Sequence, residues 1–97
     1  MADIIFHPEA QEEYEKAMEW YQARSQRAAT RFEAEVEALL GRVQLNPDSF
    51  PLYDDDHRFA AVRRFPYTLI YQVHSDRIFV VAVAHARRRP DYWKRRA

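Results

Sequence analysis

The sequence predicts one small α+β domain with the element order β-α-α-β-β-β, in which a helical hairpin packs on one face of a small, mainly antiparallel sheet. Three observations predict this class. The 97 residues fit a single domain, here 1–97. Apolar side chains recur with helical spacing in the first half of the chain. After a loop rich in Pro and Asp, the spacing of apolar residues changes to two, which is typical of strands.

The first predicted strand is Asp3–Phe6, where three β-prone apolar residues follow one another. Pro8 ends it and suits the first position of a helix, because its missing N–H has no intrahelical partner there. The apolar residues that follow form one stripe at helical spacing, which consists of Ala10, Tyr14, Ala17, Met18 and Tyr21. Trp20 is expected to widen this stripe.

A second helix is predicted to follow almost at once. Ser25 suits its N-cap, and Asn46 precedes a proline that pushes it out of the helical region. The second apolar stripe consists of Ala28, Phe32, Val36, Leu39, Leu40 and Val43. Because the connection is short, the two helices are expected to form an antiparallel hairpin.

Three strands are predicted after the loop at 46–57. They span residues 59–65, 67–74 and 78–86, with a tight turn at Ser75 and Asp76. The last strand is apolar at nearly every position, which is typical of a strand deep in a sheet. Because the helices cover only one face of this sheet, something polar or exchangeable is expected to cover the other.

The net charge of zero conceals a strong division of charge. Residues 1–56 contain 13 acidic and 5 basic side chains, whereas residues 57–97 contain 2 acidic and 10 basic ones. This asymmetry indicates a face that meets a polyanion or an acidic partner. The alternative is that the acidic and basic halves pair with each other across the fold.

Several classes of protein are excluded by what the sequence lacks. No segment approaches the ~18–20 apolar residues of a membrane span, and the N-terminus shows no signal-peptide pattern. The absence of cysteine excludes disulfides and thiolate chemistry, so the cytoplasm is the expected location. Neither a Gly-rich phosphate loop nor a cluster of metal ligands is found, since the four histidines are far apart. We therefore predict no metal and no cofactor.

The last strand and the tail hold the strongest group of candidate residues. Strict alternation predicts that Phe79, Val81, Val83, His85 and Arg87 share one face, with the last two at its open end. Cleavage of an RNA phosphodiester needs an acid, a base and cations, and His is the natural acid or base at neutral pH. Arg63 and Arg64 on the neighbouring predicted strand could add cations. The candidate catalytic residues of a ribonuclease are therefore His85, Arg87, Arg63, Tyr92 and Trp93.

Other basic residues are candidates for binding a target or a nucleic acid, because Arg binds phosphate and aromatic rings stack on bases. They are Arg64, Arg88, Arg89, Lys94, Arg95 and Arg96. Structural alternatives stand beside these roles. His85 can simply hydrogen-bond at a strand end, and Tyr92 and Trp93 can cover the sheet edge or the helix pair. The basic tail can equally bind an acidic protein.

Three segments of the chain read FHPEAQEEYEKAMEWY, RRFPYTLIYQV and VVAVAHARRRPDYW. In their order and spacing they resemble the RelE/ParE superfamily, in the branch often labelled plasmid stabilisation proteins. The resemblance runs from about Ile4 to Trp93, and its last two motifs are the more specific. It implies the toxin of a type II toxin–antitoxin pair, held inactive by an antitoxin peptide that wraps it.

The superfamily holds two activities. RelE-like members cut messenger RNA on the ribosome, whereas ParE-like members poison DNA gyrase. The resemblance places the ribonucleases' basic pair at Phe59 and Ala61 and their mid-strand Arg at Thr68, so these three cations are missing here. It matches their Arg after the last strand with Arg87 and their terminal aromatic with Trp93.

The remaining correspondences are less diagnostic. Arg63 matches a common basic position, and His85 is more like the His that closes the last strand of ParE-like members. Each missing cation of this kind costs ~2.7–4 kcal/mol of transition-state stabilisation. The resemblance therefore favours a toxin that binds gyrase and is neutralised by its antitoxin in a hetero-oligomer. The alternatives are a ribosome-dependent mRNA endonuclease and a degenerate, non-toxic interaction module.

Overall fold

The structure, a computed structural model, describes residues 2–96. Its elements are β1 (Asp3–Phe6), α1 (Pro8–Arg24), α2 (Gln26–Leu45), a 3-10 turn (Pro47–Ser49), β2 (Arg58–Ala61), β3 (Tyr67–Val73) and β4 (Arg77–His85). This order is the predicted β-α-α-β-β-β, and the predicted α+β class is confirmed. The first strand and the start of the first helix lie where the sequence predicts them.

The four strands form one mixed sheet in the order β1-β4-β3-β2. β1 is parallel to β4, with Ile4 opposite Ile78. β3 is antiparallel to both β4 and β2. β1 therefore lies at one edge of the sheet, next to β4. The helical hairpin, β2 and β3 separate these two neighbouring strands in the chain.

Side chains at the start of each helix satisfy backbone N–H groups that have no partner within the helix. The His7 Nδ1 accepts a hydrogen bond from the Glu9 N–H at 3.0 Å, and the Ser25 Oγ accepts one from the Ala28 N–H at 3.1 Å. The predicted N-cap at Ser25 is thus confirmed. Neither helix, among residues 2–96, is long and apolar enough to cross a membrane.

The main core lies between the helical hairpin and the first face of the sheet. Its buried residues from the helices are Ala10, Ala17, Phe32, Val36, Leu39 and Val43, and those from the strands include Leu69, Tyr71, Ile78, Val80 and Val83. The Tyr71 hydroxyl donates to the Pro47 carbonyl at 2.8 Å, and burial raises the pKa of Tyr71 to about 12. Trp20 does not widen the core stripe as expected, since it is 51% exposed.

A β-bulge in β4 changes which side chains share a face. The register against β3 shifts between Ile70 and Tyr71, so that Val81 is one extra residue on β4. As a result Phe79 and Val81 pack on the second face of the sheet, whereas Val83 belongs to the core under the helices. The single face predicted for alternate residues from 79 to 87 is therefore wrong, because strict alternation does not survive a bulge.

The strand predicted at 59–65 is shorter than expected. β2 ends at Ala61, and Arg63 and Arg64 lie in the turn that follows rather than on a strand beside the end of β4. Arg64 has a φ of 70°, in the left-handed region that ends a strand. The turn brings the Phe65 ring to 5.1 Å from the Phe32 ring of α2. Packing of Phe65 under the helices therefore favours a turn at this point over a longer strand.

The second face of the sheet is covered by the chain itself. Trp93 is 2% exposed and packs on Ile70, Val81 and Ala82. The Tyr53 ring lies 5.1 Å from the Trp93 ring, as an edge-on neighbour. The centre of the second face is therefore covered by apolar side chains, not by the polar or exchangeable cover that was expected. Trp93 covers the sheet, which is the structural alternative to a catalytic role.

Replacing Trp93 tests this second core. We expect Trp93→Ala to lower the free energy of unfolding by about 3–5 kcal/mol, because it removes a large buried side chain. Urea denaturation followed by circular dichroism measures the change. Trp20→Ala is the matched control and should cost under about 1 kcal/mol, since Trp20 is half exposed. Equal losses in the two variants would contradict the assignment.

Candidate functional site

The C-terminal segment, residues 86–96, folds back across the sheet as a series of turns. Hydrogen bonds between residues three apart hold it, such as that from the Arg96 N–H to the Trp93 carbonyl at 2.9 Å. Asp91 has a φ of 65° and accepts a hydrogen bond from the Tyr53 hydroxyl. The predicted basic tail is therefore an ordered part of the fold.

Glu13 of α1 anchors this segment. Its Oε2 accepts hydrogen bonds from the Tyr92 hydroxyl at 2.6 Å and from the Arg96 Nη2 at 2.9 Å. Its Oε1 accepts from the Arg96 Nη1 at 2.9 Å. The pair is a bidentate carboxylate–guanidinium interaction, which is among the stronger polar contacts in proteins. The side chains of Glu13 and Arg96 are only 13% and 9% exposed.

The same ion pair satisfies the edge of β4 beyond the end of β1. β1 pairs with β4 only as far as Val80, so the β4 backbone that follows has no neighbouring strand on that side. There the Val83 N–H donates to the Glu13 Oε1 at 2.9 Å, and the Val81 carbonyl accepts from the Arg96 Nη1 at 3.1 Å. Two side chains thus take the place of a strand, since buried backbone groups need partners.

The electrostatics agree with this geometry. Burial acts to raise the pKa of Glu13, but hydrogen bonds from Arg96, Tyr92 and the Val83 N–H outweigh it and hold that pKa below its ordinary value. Burial and the hydrogen bond to Glu13 raise the pKa of Tyr92. The Arg88 guanidinium lies 3.8 Å from the centre of the Tyr92 ring and 3.7 Å from Glu13. Glu13 and Arg96 are therefore both charged at neutral pH, whereas Tyr92 keeps its proton.

His85 lies at the end of β4 with its ring already engaged. Its Nδ1 accepts a hydrogen bond from the Arg87 N–H at 3.0 Å, and its ring packs edge-on against Tyr67 at 5.0 Å. A neutral imidazole with an accepting Nδ1 carries its proton on Nε2. His85 in this arrangement can donate from Nε2 but cannot accept a proton there.

Two cavities flank His85. The first, called here the α1–β4 groove, has a volume of about 510 Å³ and includes Lys16, Trp20, Tyr67, Val83, His85 and Arg87 in its lining. The second, called here the apolar pocket, lies on the second face and has a volume of about 350 Å³. Its lining includes Leu52, Tyr53, Phe59, Thr68, Ile70 and His85, and no Lys or Arg side chain.

Residues 4–90 match the family described as the ParE toxin of the type II toxin–antitoxin system parDE. The chain belongs to the ParE toxin family. The superfamily resemblance read from the sequence is thereby confirmed. No curated protein matches the sequence significantly.

A solved structure shares the fold of this ParE-family chain. It is described as the chromosomal ParDE TA system from P. aeruginosa, and it superposes with a TM-score of 0.74 at 12% sequence identity. The match covers 88% of this chain and 96% of the other. At this identity the likeness shows the fold.

The structure does not bring the predicted catalytic residues of this ParE-family chain together. His85 and Arg87 line the α1–β4 groove, whereas Trp93 is buried on the second face. Arg63 and Arg64 line a separate depression against α2. An RNA-cleaving centre needs its acid, base and cations around one phosphate, and these residues do not share one cavity.

Of the predicted binding residues, Arg64 lies in the turn after β2, and those of the C-terminal segment, together with the predicted catalytic residue Arg87, fall into two groups. Arg87, Arg89 and Arg95 are exposed, and no ion pair or side-chain hydrogen bond engages their guanidinium groups within residues 2–96. The others contact carboxylates: Arg88 and Arg96 contact Glu13, and Lys94 contacts Asp54 and Asp91. The alternative that acidic and basic halves pair across the fold thus holds for part of the basic tail.

Neither Glu13 nor His57 is among the site residues predicted from the sequence. Glu13 was missed, although its position three after Ala10 and four before Ala17 places it on the buried side of α1. The His57 Nδ1 lies 2.8 Å from the Asp54 Oδ1, and the His57 ring packs on Trp93 at 4.7 Å. Within residues 2–96, no cluster of His, Asp and Glu is suited to hold a metal ion.

Replacing Glu13 with Gln tests its role as the anchor. We expect Glu13→Gln to lower the free energy of unfolding by about 2–3 kcal/mol, because it removes the carboxylate that binds both Nη atoms of the largely buried Arg96 and leaves it the exposed Glu9, 3.6 Å from its Nε. The matched control is Glu12→Gln, one residue away. Glu12 is exposed and, within residues 2–96, forms an ion pair only with exposed Lys16, so its loss should cost under about 0.5 kcal/mol.

The pH dependence gives a second readout of the same variant. Since the folded-state pKa of Glu13 is lowered, its contribution is complete above the unfolded pKa of about 4.3 and is lost as pH falls through the folded value. The difference in free energy of unfolding between the native chain and Glu13→Gln should therefore decrease as the pH is lowered. A gap that stays constant from neutral pH to the acid range would contradict the charged anchor.

Proposed function

We propose that this ParE-family chain is a toxin that inhibits growth by binding an essential target, DNA gyrase, and that a cognate antitoxin neutralises it. The observation that carries the proposal is the apolar pocket. Phe59 and Thr68, which stand where the resemblance places cations of the ribonuclease members, both line it, and no Lys or Arg does. A pocket without Lys or Arg lacks the positive charges that stabilise a phosphorane, which supports binding over RNA cleavage.

The state of His85 supports the same conclusion. As a general base it would have to accept a proton, yet its Nδ1 already accepts the Arg87 N–H and its Nε2 therefore carries hydrogen in the neutral ring. The hydrogen bond instead stiffens the turn at the end of β4. His85 thus shapes the wall shared by the α1–β4 groove and the apolar pocket.

The exposed arginines of the C-terminal segment supply the target-binding surface in this proposal. Arg87, Arg89 and Arg95 project from a segment that Glu13 and Trp93 hold rigid. A preorganised basic surface binds an acidic protein face with little ordering cost and with fast, salt-dependent association. We propose that this interaction takes place in the cytoplasm.

The α1–β4 groove supplies the antitoxin surface in this proposal. Trp20 lines the groove and is 51% exposed. The basic residues Lys16, Arg87 and Arg88 line the same groove. An amphipathic acidic antitoxin segment would bury the indole ring and pair with these cations, in a toxin–antitoxin hetero-oligomer. The structural neighbour is described as a ParDE TA system, which supports such a partner.

An assay of DNA supercoiling tests the target. Purified toxin should inhibit gyrase, and Arg87→Ala/Arg89→Ala should raise the half-inhibitory concentration by about tenfold, equivalent to about 1.4 kcal/mol. The matched control is Arg42→Ala/Arg77→Ala, which removes two other exposed arginines and should change little. No inhibition by a large excess of folded toxin would exclude gyrase as the target.

The competing functions give different results. If the chain is a ribosome-dependent endonuclease, His85→Ala/Arg87→Ala will abolish messenger RNA cleavage in a translation extract that the native chain degrades. If it is a non-toxic interaction module, induced expression without a partner will leave growth normal. Growth arrest with intact messenger RNA is the result expected here.

Co-purification tests the antitoxin. A short reading frame beside this gene, ending in an amphipathic acidic helix, should encode a protein that co-purifies with the chain and abolishes inhibition of gyrase. Trp20→Ala should weaken this complex by about tenfold. Leu45→Ala is the control, since Leu45 is 75% exposed and lies outside the groove. Unchanged affinity in Trp20→Ala would remove the groove from the proposal.

A further inference from the structure

Four arginines from two parts of the chain surround one depression, called here the arginine depression. Arg27 and Arg31 come from the start of α2, and Arg63 and Arg64 come from the turn after β2. The depression has a volume of about 520 Å³ and shares no lining residue with the α1–β4 groove or the apolar pocket. Its remaining lining residues are Thr30, Ala34 and Glu35.

These guanidinium groups are free to meet a ligand. All four residues are exposed, and within residues 2–96 no carboxylate forms an ion pair with any of them. Glu35 is the single carboxylate in the lining. The local charge of the depression is therefore strongly positive, although the net charge of the chain is zero.

The start of α2 adds to this positive field. Its first turn contains no acidic residue, in contrast to the first turn of α1, which contains Glu9. The unpaired N–H groups at a helix start carry partial positive charge. Ser25 caps one of them, at the Ala28 N–H. Arg27 thus lies at the positive end of a 20-residue helix without a neutralising neighbour in that turn.

The turn that holds Arg63 and Arg64 is fixed in place. Its Val62 N–H donates to the Tyr67 carbonyl at 2.9 Å, and its Phe65 ring packs against aromatic rings of both helices. Arg64 adopts a φ of 70°, a region that favours Gly or Asn over a long side chain. The strained backbone is held by its surroundings and directs two cations to the same side as those of α2.

The chemistry of the lining identifies the ligand class. Guanidinium groups bind phosphate oxygens in a planar fork. The one apolar side chain in the lining is that of Ala34, so the depression offers no large apolar surface to anchor a protein segment. No aromatic side chain lines the depression, so it lacks the aromatic platform that proteins binding single strands combine with their cations. We propose that the arginine depression binds the phosphate backbone of duplex DNA, without reading its sequence. Cations that contact only phosphates position a protein on a duplex in this way.

Fluorescence anisotropy with a labelled duplex of about 20 base pairs tests the proposal on the intact chain. The test variant is Arg27→Gln/Arg31→Gln, and the control is Arg42→Gln/Arg77→Gln, which changes the net charge equally at exposed sites elsewhere. We expect the test variant to lose about tenfold or more in affinity at low salt, and the control to lose far less. Circular dichroism spectra should show that both variants keep the fold.

Salt dependence separates phosphate contacts from other binding. Between about 50 and 200 mM salt, the slope of log K against log salt should fall in magnitude by about 2 in the test variant, since each phosphate contact contributes about 0.9. Equal losses in the test and control variants would show that net charge alone is responsible and would overturn the proposal. So would absence of duplex binding at the lowest salt.

Two competitor arms distinguish the other polyanions. Tighter binding of a single-stranded RNA of the same length would overturn the choice of duplex DNA. Displacement of the duplex by poly-glutamate at equal charge concentration would assign the depression to an acidic protein segment instead. Because gyrase and antitoxin are absent from these measurements, their outcome is independent of the target proposed above.

Discussion

The Glu13–Arg96 ion pair is the contact on which the second half of the structure depends. β1 has four residues and β4 has nine, so the parallel pairing of these strands leaves part of the β4 edge without a neighbouring strand. Glu13 and Arg96 supply the missing partners to the backbone at Val83 and Val81. Because Glu13 belongs to α1 and Arg96 to the end of the chain, one carboxylate joins helix, sheet edge and C-terminal segment.

This anchor also decides which basic side chains are available. It engages the guanidinium of Arg96, brings Arg88 over the Tyr92 ring, and allows Trp93 to close the second face of the sheet. Some basic side chains of the second half are thus paired with acidic ones of the first half within the fold. What remains exposed is a smaller group of cations on a rigid segment, and rigid cations suit binding because little entropy is lost on association.

The basic side chains of the fold lie on separate surfaces. The cavities beside His85 lie apart from the depression lined by Arg63 and Arg64, and the pocket lined by Phe59 contains no Lys or Arg. A catalytic centre for phosphodiester cleavage needs its groups around one phosphate, whereas a binding protein can distribute cations over several surfaces. The geometry therefore supports the proposal that this ParE-family protein acts by binding.

The sequence by itself determined the features that depend on local chemistry. The cap at Ser25, the helix stop at Asn46, the α+β element order and the superfamily resemblance all follow from neighbouring residues, and all are confirmed. Only the tertiary structure decided the faces and partners. The bulge at Val81 depends on the register against β3, and the role of Glu13 depends on Arg96, which lies 83 residues away in the chain. Such contacts have no local signal, because they arise only when distant elements pack together.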